Sequence, residues 1–309
     1  MGLQESEMLV TGASGFVGTN LTKYFTQKSI GTIYPISLRQ QVPRSIPKGI
    51  KYFIHLAGKA HDTNNISSPE EYFQINTELT KQLFDVYLQS PARDFIYFSS
   101  VKAAADKVSG ILTEDIIPDP QTPYGQSKLK AEEYILSQLL PEEKRVIILR
   151  PCMIHGPGNK GNLNLLYKVV KKSIPYPLAA FKNKRSFLSI NNLLFIIEQL
   201  LNNPHIPGGI YNATDDIPLS TIEIIHIIGE ESGITPRMWK LSPTLIRTLA
   251  KVGDILYLPL NSERLKKLTE NYVVSNQKIK NALGIQSFPV SSREGLLKTV
   301  RSFEGALRK

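Results

Sequence analysis

Two residues that can move a proton, Tyr124 and Lys128, stand four positions apart in the segment PYGQSK. On a helix such positions share one face, so the phenol and the ammonium project the same way. The pKa of a phenol is ordinarily about 10. A cation about 4 Å away, at an effective dielectric of about 20, lowers this pKa by up to about three pH units. With the added charge of an oxidised nicotinamide, a tyrosine so placed could exchange a proton near neutral pH. Tyr-x-x-x-Lys is common by itself, and the alternative is an ordinary surface helix pair.

Two hydroxyls precede this pair in the chain. Ser99 and Ser100 end the run DFIYFSS, 25 and 24 residues before Tyr124. If that run is a strand, its carboxyl end lies at the edge where ligands of doubly wound sheets bind. Either serine could then hydrogen-bond a substrate oxygen while Tyr124 moves its proton. The simpler alternative is a polar cap on the end of a strand.

A glycine-rich turn lies near the start of the chain, in TGASGFVG (residues 11–18). It directly follows the first apolar run and opens a helical pattern. Gly12, Gly15 and Gly18 can make the tight turn, admit a pyrophosphate against bare backbone, and let the helix pack closely on the sheet. The motif is weak by itself, but in this position it predicts a dinucleotide site.

Short apolar runs alternate with helical patterns through about residue 150. The runs predict strands buried on both faces: EMLV (7–10), TIYPISL (32–38), KYFIHLA (51–57), DFIYFSS (94–100) and RVIILR (145–150). Ser68 with Pro69 marks one helix start, and Ser220 with Glu223 marks another by capping-box spacing. The alternation predicts an α/β fold, a Rossmann-type doubly wound parallel sheet followed by a smaller, helix-rich C-terminal part.

Composition limits the classes of function. The 309 residues are 41% hydrophobic, and no apolar run approaches the roughly 20 residues that span a bilayer. The net charge of +10 favours anionic ligands. Basic residues are scattered apart from FKNKR (181–185), so a phosphate-bearing small molecule is favoured over nucleic acid. The single Cys152 forms no intramolecular disulfide, and we expect a cytoplasmic protein without a metal site.

The order of the motifs is more specific than any one of them. TGASGFVG, then HLAG (55–58), a serine pair after a strand, and Y-x-x-x-K resemble the extended short-chain dehydrogenase/reductases, specifically the nucleotide-sugar epimerase/dehydratase family. RPCMIHGPGNKGNL and KRSFLSINNL resemble later segments of that family, so the resemblance covers nearly the whole chain. SSVKA, GPGNKGN and IPYPLAAFKNKRS are similar to its bacterial UDP-N-acetylhexosamine 4-epimerase and 4-ketoreductase branch.

The resemblance implies roles for individual residues. Ser100 becomes the active-site hydroxyl, Tyr124 the acid/base, and Lys128 the residue that holds the nicotinamide ribose and lowers the pKa of the tyrosine. Arg185 becomes the diphosphate arginine, a role that suits a guanidinium fork. The other implied contacts are to the cofactor from Gly12, Ser14, Gly15, Phe16, Val17, Ser37, Arg39, Leu56, Ala57 and Gly58, and to the UDP-sugar from Asn162, Leu163 and Arg264.

The resemblance also implies a division of the chain. Residues 1–157 and 186–214 would form the dinucleotide-binding domain, and residues 158–185 and 215–309 the nucleotide-sugar domain. Members of the family often pair through helices of the α/β domain, so a homodimer is expected.

Two departures from the family pattern are visible. Family members usually have a third strand with an aspartate that contacts adenine, but only the span from Arg39 to Ile50 is free for it, and Pro43 and Pro47 interrupt that span. A crossover alone needs about a dozen residues. We therefore expect a shortened excursion and assign no adenine aspartate. Ser275 stands where the family often has an Asp.

Arg39 bears on the choice of cofactor. In dinucleotide folds an acid at the end of the second strand binds both ribose hydroxyls, whereas an arginine attracts a 2′-phosphate. PISLRQQ contains no acid, while Ser37, Arg39 and the nearby Arg44 offer a hydroxyl and positive charge. The sequence favours NADP(H), with a preference of roughly 10- to 150-fold for a contact that is not fully solvated. If Arg39 instead lies flat on the adenine, NAD is left open.

Cofactor choice bears on the reaction. A 4-ketoreductase consumes NAD(P)H at each turnover, whereas a 4-epimerase keeps one NAD and returns the hydride. We expect reduction of a UDP-4-keto-6-deoxy-hexosamine, with 4-epimerisation of UDP-glucose or UDP-N-acetylglucosamine as the alternative. A 4,6-dehydratase is disfavoured because Val101 and Lys102 replace the acids of that branch. A catalytically silent dinucleotide sensor is disfavoured because Ser100, Tyr124 and Lys128 are all present.

Overall fold

A parallel sheet forms the centre of the molecule. The computed structural model describes residues 6–39, 42–43, 46–59, 68–159, 161–256 and 261–307, apart from the side chains of residues 162, 263, 264, 267 and 305–307. The strands are β1 (Glu7–Thr11), β2 (Thr32–Ile36), β3 (Ile50–His55), β4 (Asp94–Phe98), β5 (Ile111–Leu112), β6 (Arg145–Pro151), β7 (Met153–His155), β8 (Phe187–Ser189), β9 (Gly209–Ala213) and β10 (Val273–Val274). Six of them pair in the order β2-β1-β3-β4-β6-β9, and every pairing is parallel.

Helices cover both faces of this sheet. The α-helices of the described residues are α1 (Phe16–Gln27), α2 (Pro69–Phe73), α3 (Leu79–Gln89), α4 (Pro123–Ser137), α5 (Asn162–Lys171), α6 (Ile190–Asn202), α7 (Thr221–Ser232), α8 (Pro243–Ile255), α9 (Ser262–Thr269), α10 (Gln277–Leu283) and α11 (Ser292–Leu307). A π-helical turn, Gln74–Glu78, joins α2 to α3, and a 3₁₀ turn, Val101–Ala103, follows β4. The predicted α/β class and parallel sheet are confirmed.

The buried strands explain why their sequences show no alternation of polar and apolar residues. Every residue of β4 and β6 is buried. One face of the sheet packs against α1 and α6, through side chains such as Leu21 and Leu193. The other face packs against α3 and α4, through side chains such as Phe84 and Ile135. Strands covered on both faces read as continuous apolar runs. The predicted burial on both faces is wrong for β2, an edge strand in which no residue is buried.

The predicted helix starts are confirmed at their caps. The Ser68 hydroxyl accepts a hydrogen bond from the backbone N–H of Glu71, with Pro69 in the first turn of α2. Ser220 and Glu223 form a complete capping box at α7: the Glu223 N–H donates to the Ser220 hydroxyl at 3.1 Å, and the Ser220 N–H donates to the Glu223 carboxylate at 2.7 Å. The capping box of α7 satisfies two donors that the helix itself cannot.

The shortened excursion after β2 is also confirmed. Among the described residues between Ile36 and Ile50 there is neither a strand nor a helix. Within the described sheet, β2 is consequently an edge strand that pairs with β1 alone. Pro35 lies on this edge, where its missing N–H costs no ladder hydrogen bond.

The later elements form separate packing clusters beside the sheet. Helices α5, α7 and α11 share one apolar cluster, to which Leu163, Ile228 and Val300 contribute. Helices α8 and α9 share another around Ile246 and Leu265. In the described part of the chain, none of the helices has the length and apolar character needed to cross a membrane.

Candidate active site

Helix α4 presents Tyr124 in its first turn, directly beside the end of β4. The Thr122 hydroxyl caps the helix by accepting the Gly125 N–H at 3.2 Å. The Asp106 carboxylate holds this cap by accepting the Thr122 N–H at 2.9 Å and its hydroxyl at 3.0 Å. The Tyr124 phenol is hydrogen-bonded to the Ser100 hydroxyl. The structure thus brings together the two groups that the sequence placed 24 residues apart.

The two serines after β4 have different surroundings. Ser100 caps the 3₁₀ turn by accepting the Lys102 N–H at 3.1 Å, and it contacts Tyr124. Ser99 turns the other way and donates its hydroxyl hydrogen bond to the buried carboxylate of Glu132. Successive side chains of an extended segment point to opposite faces, so only Ser100 faces the phenol.

Lys128 lies one helical turn beyond Tyr124 and is almost fully buried. Its ammonium donates to the Phe98 carbonyl at 2.8 Å and lies 4.9 Å from the centre of the Tyr97 ring. A Cβ placed on Gly58 would lie 3.0 Å from the ammonium nitrogen. Lys128 therefore stands between the end of β4 and the loop that follows β3. Burial lowers the pKa of Lys128 to about 8, while the Glu132 carboxylate acts to raise it.

The expected lowering of the Tyr124 pKa by Lys128 is wrong for the protein alone. Burial raises the pKa of Tyr124 above its usual value, and the nearby Tyr72 adds to that rise. The hydrogen bond from Ser100 is the contribution that lowers it. Lys128 instead directs its ammonium to the Phe98 carbonyl at the end of β4. Tyr124 keeps its proton through neutral pH, in the form that a proton donor requires.

Asn76, in the π-helical turn, is a site residue that the sequence patterns did not single out. Its side chain accepts the Lys59 N–H at 2.8 Å and donates to the Lys59 carbonyl at 3.1 Å. It also donates to the Ser127 hydroxyl at 3.0 Å. Asn76 thus ties the loop after β3 to the helix that carries Lys128. Asn76 is fully buried, a property that its sequence context does not show.

The glycine turn has the form that its spacing predicted. Gly12 has a φ of +69°, and a Cβ there would lie 2.7 Å from the Ala57 backbone nitrogen. A Cβ on Gly18 would overlap the Gly12 carbonyl, so the start of α1 packs directly on the turn. Gly15 is the N-cap of α1 and is exposed. Exposed backbone at a helix N-terminus suits a phosphate group.

The other predicted cofactor residues surround this turn. Ser14 is exposed, whereas Phe16 and Val17 are half-buried at the start of α1. The Leu56 N–H donates to the Thr11 carbonyl at 3.3 Å, and the Ala57 N–H donates to the Thr11 hydroxyl at 3.2 Å. These two bonds join the loop after β3 to the glycine turn. Gly58, in the same loop, is exposed. Ser37 and Arg39 follow the end of β2, and both side chains are exposed.

The predicted substrate residues lie on the side of α5 and β10. Arg185 is half-buried, and its backbone pairs with Leu219 and Tyr272 in short bridges. Burial lowers the pKa of Arg185, and the Glu270 carboxylate acts against this. Arg185 in turn acts to lower the pKa of Lys102, two residues after Ser100, so the two cations lie near one another.

Of the three other predicted substrate residues, the structure describes the side chain of one. Leu163 is buried, and its side chain packs into the apolar cluster of α5, α7 and α11. The side chains of Asn162, at the start of α5, and Arg264, in α9, lie outside the described residues.

Comparison with known proteins is consistent with this geometry. Residues 8–214 match the NAD dependent epimerase/dehydratase family. The chain is 28% identical to a UDP-glucose 4-epimerase of Vibrio cholerae, covering 96% of this chain and 95% of the other. It is 27% identical to a GDP-6-deoxy-D-mannose reductase of Pseudomonas aeruginosa, covering 72% of this chain and 79% of the other. A solved structure, RMD from Pseudomonas aeruginosa complexed with NADPH, shares the fold with a TM-score of 0.74 at 20% identity. The match covers 99% of this chain and 100% of the other.

Three findings agree with the order of motifs in the chain: the glycine turn at the start of α1, the Ser100–Tyr124–Lys128 arrangement, and a family match over two thirds of the sequence. This chain belongs to the NAD dependent epimerase/dehydratase family.

Proposed function

We propose that this protein reduces the 4-keto group of a UDP-4-keto-6-deoxy-hexosamine with NADP(H). The observation that carries the choice of reductase is the pair Ser37 and Arg39, exposed at the end of β2 with no acid in the segment PISLRQQ. A hydroxyl and a guanidinium there favour a 2′-phosphate. A cofactor of that kind suits an enzyme that consumes reducing equivalents at each turnover.

The residues of the site have separate tasks in this reaction. The bound dinucleotide supplies a hydride to C4 of the sugar. Tyr124 donates its proton to the C4 oxygen, which becomes a hydroxyl. Ser100 hydrogen-bonds the same oxygen, and Lys128 holds the nicotinamide ribose and keeps positive charge near the phenol. Burial raises the pKa of Tyr124, so the donor carries its proton at neutral pH.

The nucleotide sugar would bind mainly to elements from the later part of the chain. Residues 158–185 and 215–309 would hold the nucleotide sugar, and residues 1–157 and 186–214 the dinucleotide. Arg185 would bind the diphosphate, with Asn162 and Leu163 at the UDP moiety and Arg264 as a second diphosphate arginine. We further propose that the protein is a cytoplasmic homodimer.

A 4-epimerase is the second candidate, and a specific observation favours it. The Vibrio cholerae relative, named a UDP-glucose 4-epimerase, aligns over 96% of this chain. An epimerase of UDP-glucose or UDP-N-acetylglucosamine would use the same Tyr124, first as base and then as acid. A silent dinucleotide sensor is the weakest candidate, since Ser100, Tyr124 and Lys128 are in place.

Mass analysis of the nucleotide that remains bound through purification distinguishes the two enzymes. We expect the protein to be empty or to carry NADP(H), and NADPH to be oxidised in the presence of a 4-keto sugar nucleotide. Stoichiometric retained NAD, with no net consumption of NADPH, would favour the epimerase. A thermal shift with UDP is the companion measurement, because a ligand of the folded state raises the melting temperature and a sensor without a sugar site should ignore UDP.

Replacing Arg39 tests the cofactor choice directly. Because the side chain is exposed, we expect a preference for NADPH over NADH near the lower end of the range, about 10-fold. Arg39→Ala should lower NADPH affinity and leave NADH nearly unchanged, and Arg39→Asp should reverse the preference by repulsion. Fluorescence titration of both cofactors measures this. Tighter binding of NADH by the wild type, or a ratio that Arg39→Ala does not alter, removes the phosphate role and with it the main support for a reductase.

A further inference from the structure

Helix α4 meets the end of β4 at three successive turns. In the first turn, Tyr124 hydrogen-bonds Ser100. One turn later, the Lys128 ammonium donates to the last carbonyl of β4 at 2.8 Å. After a further turn, the carboxylate of Glu132 accepts a hydrogen bond from the hydroxyl of Ser99. Residues four apart share a helix face, so one face of α4 carries both candidate catalytic groups and a buried acid.

The Glu132 carboxylate is also bound by a guanidinium. Arg150 donates from Nε to the two carboxylate oxygens at 2.9 and 3.2 Å, and again from Nη2. Both side chains are 1% exposed. Because Arg150 belongs to β6 and Ser99 follows β4, Glu132 joins two neighbouring strands to α4. Desolvation offsets much of the attraction in a buried ion pair, so stability alone does not account for its position here.

We propose that Glu132 is a positioning residue for the reaction, which fixes the rotation of α4 by binding Arg150 and Ser99 so that Tyr124 meets Ser100. The inference rests on the function proposed above for Tyr124. The phenol lies two turns from Glu132 on the same helix, so a rotation of α4 moves the proton donor relative to the substrate oxygen. A misplacement of about 1 Å costs up to about 10²-fold in rate.

The charge of Glu132 has a second effect, on Lys128. The carboxylate opposes the lowering of the Lys128 pKa by burial. The other titratable or charged groups around Lys128 are Tyr124 on α4, Tyr97 on β4, His55 on β3 and, behind Glu132, Arg150 on β6. Burial lowers the pKa of His55 to about 3, so His55 is neutral. Loss of the carboxylate therefore lowers the Lys128 pKa further, and a rate that needs the ammonium falls at a lower pH.

Glu132→Gln tests the proposal because it keeps the size of the side chain and removes its charge. In protein shown to be folded by its melting temperature, we expect kcat to fall about 10- to 100-fold while the Kd for NADPH is unchanged. The alkaline limb of the pH profile should also move to lower pH, because the carboxylate that raises the Lys128 pKa is gone. Glu133→Gln is the matched control, since the Glu133 carboxylate is exposed on the same helix and should change neither quantity.

A second variant covers the case in which Glu132→Gln does not fold. Glu132→Gln combined with Arg150→Met removes both buried charges together, a replacement that proteins often tolerate. The same fall in kcat is expected. Wild-type kcat in either folded variant overturns the positioning role alone. A wild-type protein that turns over no nucleotide sugar overturns the proposed function and this inference with it.

Discussion

Tyr124→Phe is expected to lower turnover by about 10²- to 10⁴-fold, which is the usual contribution of a positioned general acid. The change keeps the ring in its place and removes the proton that the carbonyl oxygen needs. The ring also has an edge-to-face neighbour, Tyr72, at 6.2 Å, so its packing should survive. Dinucleotide affinity should change little, because the glycine turn and Lys128 are untouched. Steady-state rates with a sugar nucleotide, together with an NADPH titration, measure both quantities.

The pH dependence of the wild type gives a further check on Tyr124. Since burial raises the pKa of Tyr124, the donor stays protonated through neutral pH. The slowing of reduction at alkaline pH should therefore follow Lys128, whose pKa burial lowers to about 8, before it follows Tyr124. The serines rank below the tyrosine: Ser100→Ala should cost less than Tyr124→Phe and more than Ser99→Ala, because Ser99 faces Glu132. Near-normal turnover of Tyr124→Phe would contradict the acid role, and the reverse ranking of the serines would transfer the hydroxyl role to Ser99.

The sheet and its helix caps could be predicted because their causes are local. A strand buried on both faces reads as a continuous apolar run, as in β4, and a capping box needs only Ser220 and Glu223 three positions apart. The missing excursion after β2 followed from chain length alone. The glycine turn was equally readable, because its glycines directly follow the first apolar run and open a helical pattern. The structure shows that a Cβ on Gly12 would lie 2.7 Å from the Ala57 backbone nitrogen.

The supporting residues of the site could not be read in the same way. Asn76 bonds Ser127 across 51 positions, and Glu132 bonds Ser99 across 33. Nothing in either segment marks these partners, because the contacts exist only after the helices dock on the sheet. The effect of Lys128 on Tyr124 was misjudged for the same reason. The sequence spacing predicts that Lys128 and Tyr124 share one helix face. The acceptor of the Lys128 ammonium and the burial of both side chains depend on the tertiary structure.

Arg185→Ala is expected to weaken UDP binding by about 10- to 150-fold, since a hydrogen bond to a charged group is worth about 1.5 to 3 kcal/mol. The guanidinium is half-buried, so water screens it less than it screens a surface lysine. Uridine, which has no phosphate, should bind wild type and variant equally. Arg185→Lys keeps the charge but loses the planar fork that matches two phosphate oxygens, so it should recover only part of the affinity.

Titration calorimetry with UDP and with uridine separates a diphosphate contact from a change of fold. Lys184→Ala is the matched control, because Lys184 is the exposed neighbour and its removal changes the net charge by the same amount. A general electrostatic effect would weaken UDP equally in both variants, whereas a built phosphate contact weakens it only when Arg185 is lost. Unchanged UDP affinity in Arg185→Ala, or an equal loss in Lys184→Ala, would exclude Arg185 from the substrate site and leave the diphosphate to other cations such as Lys102.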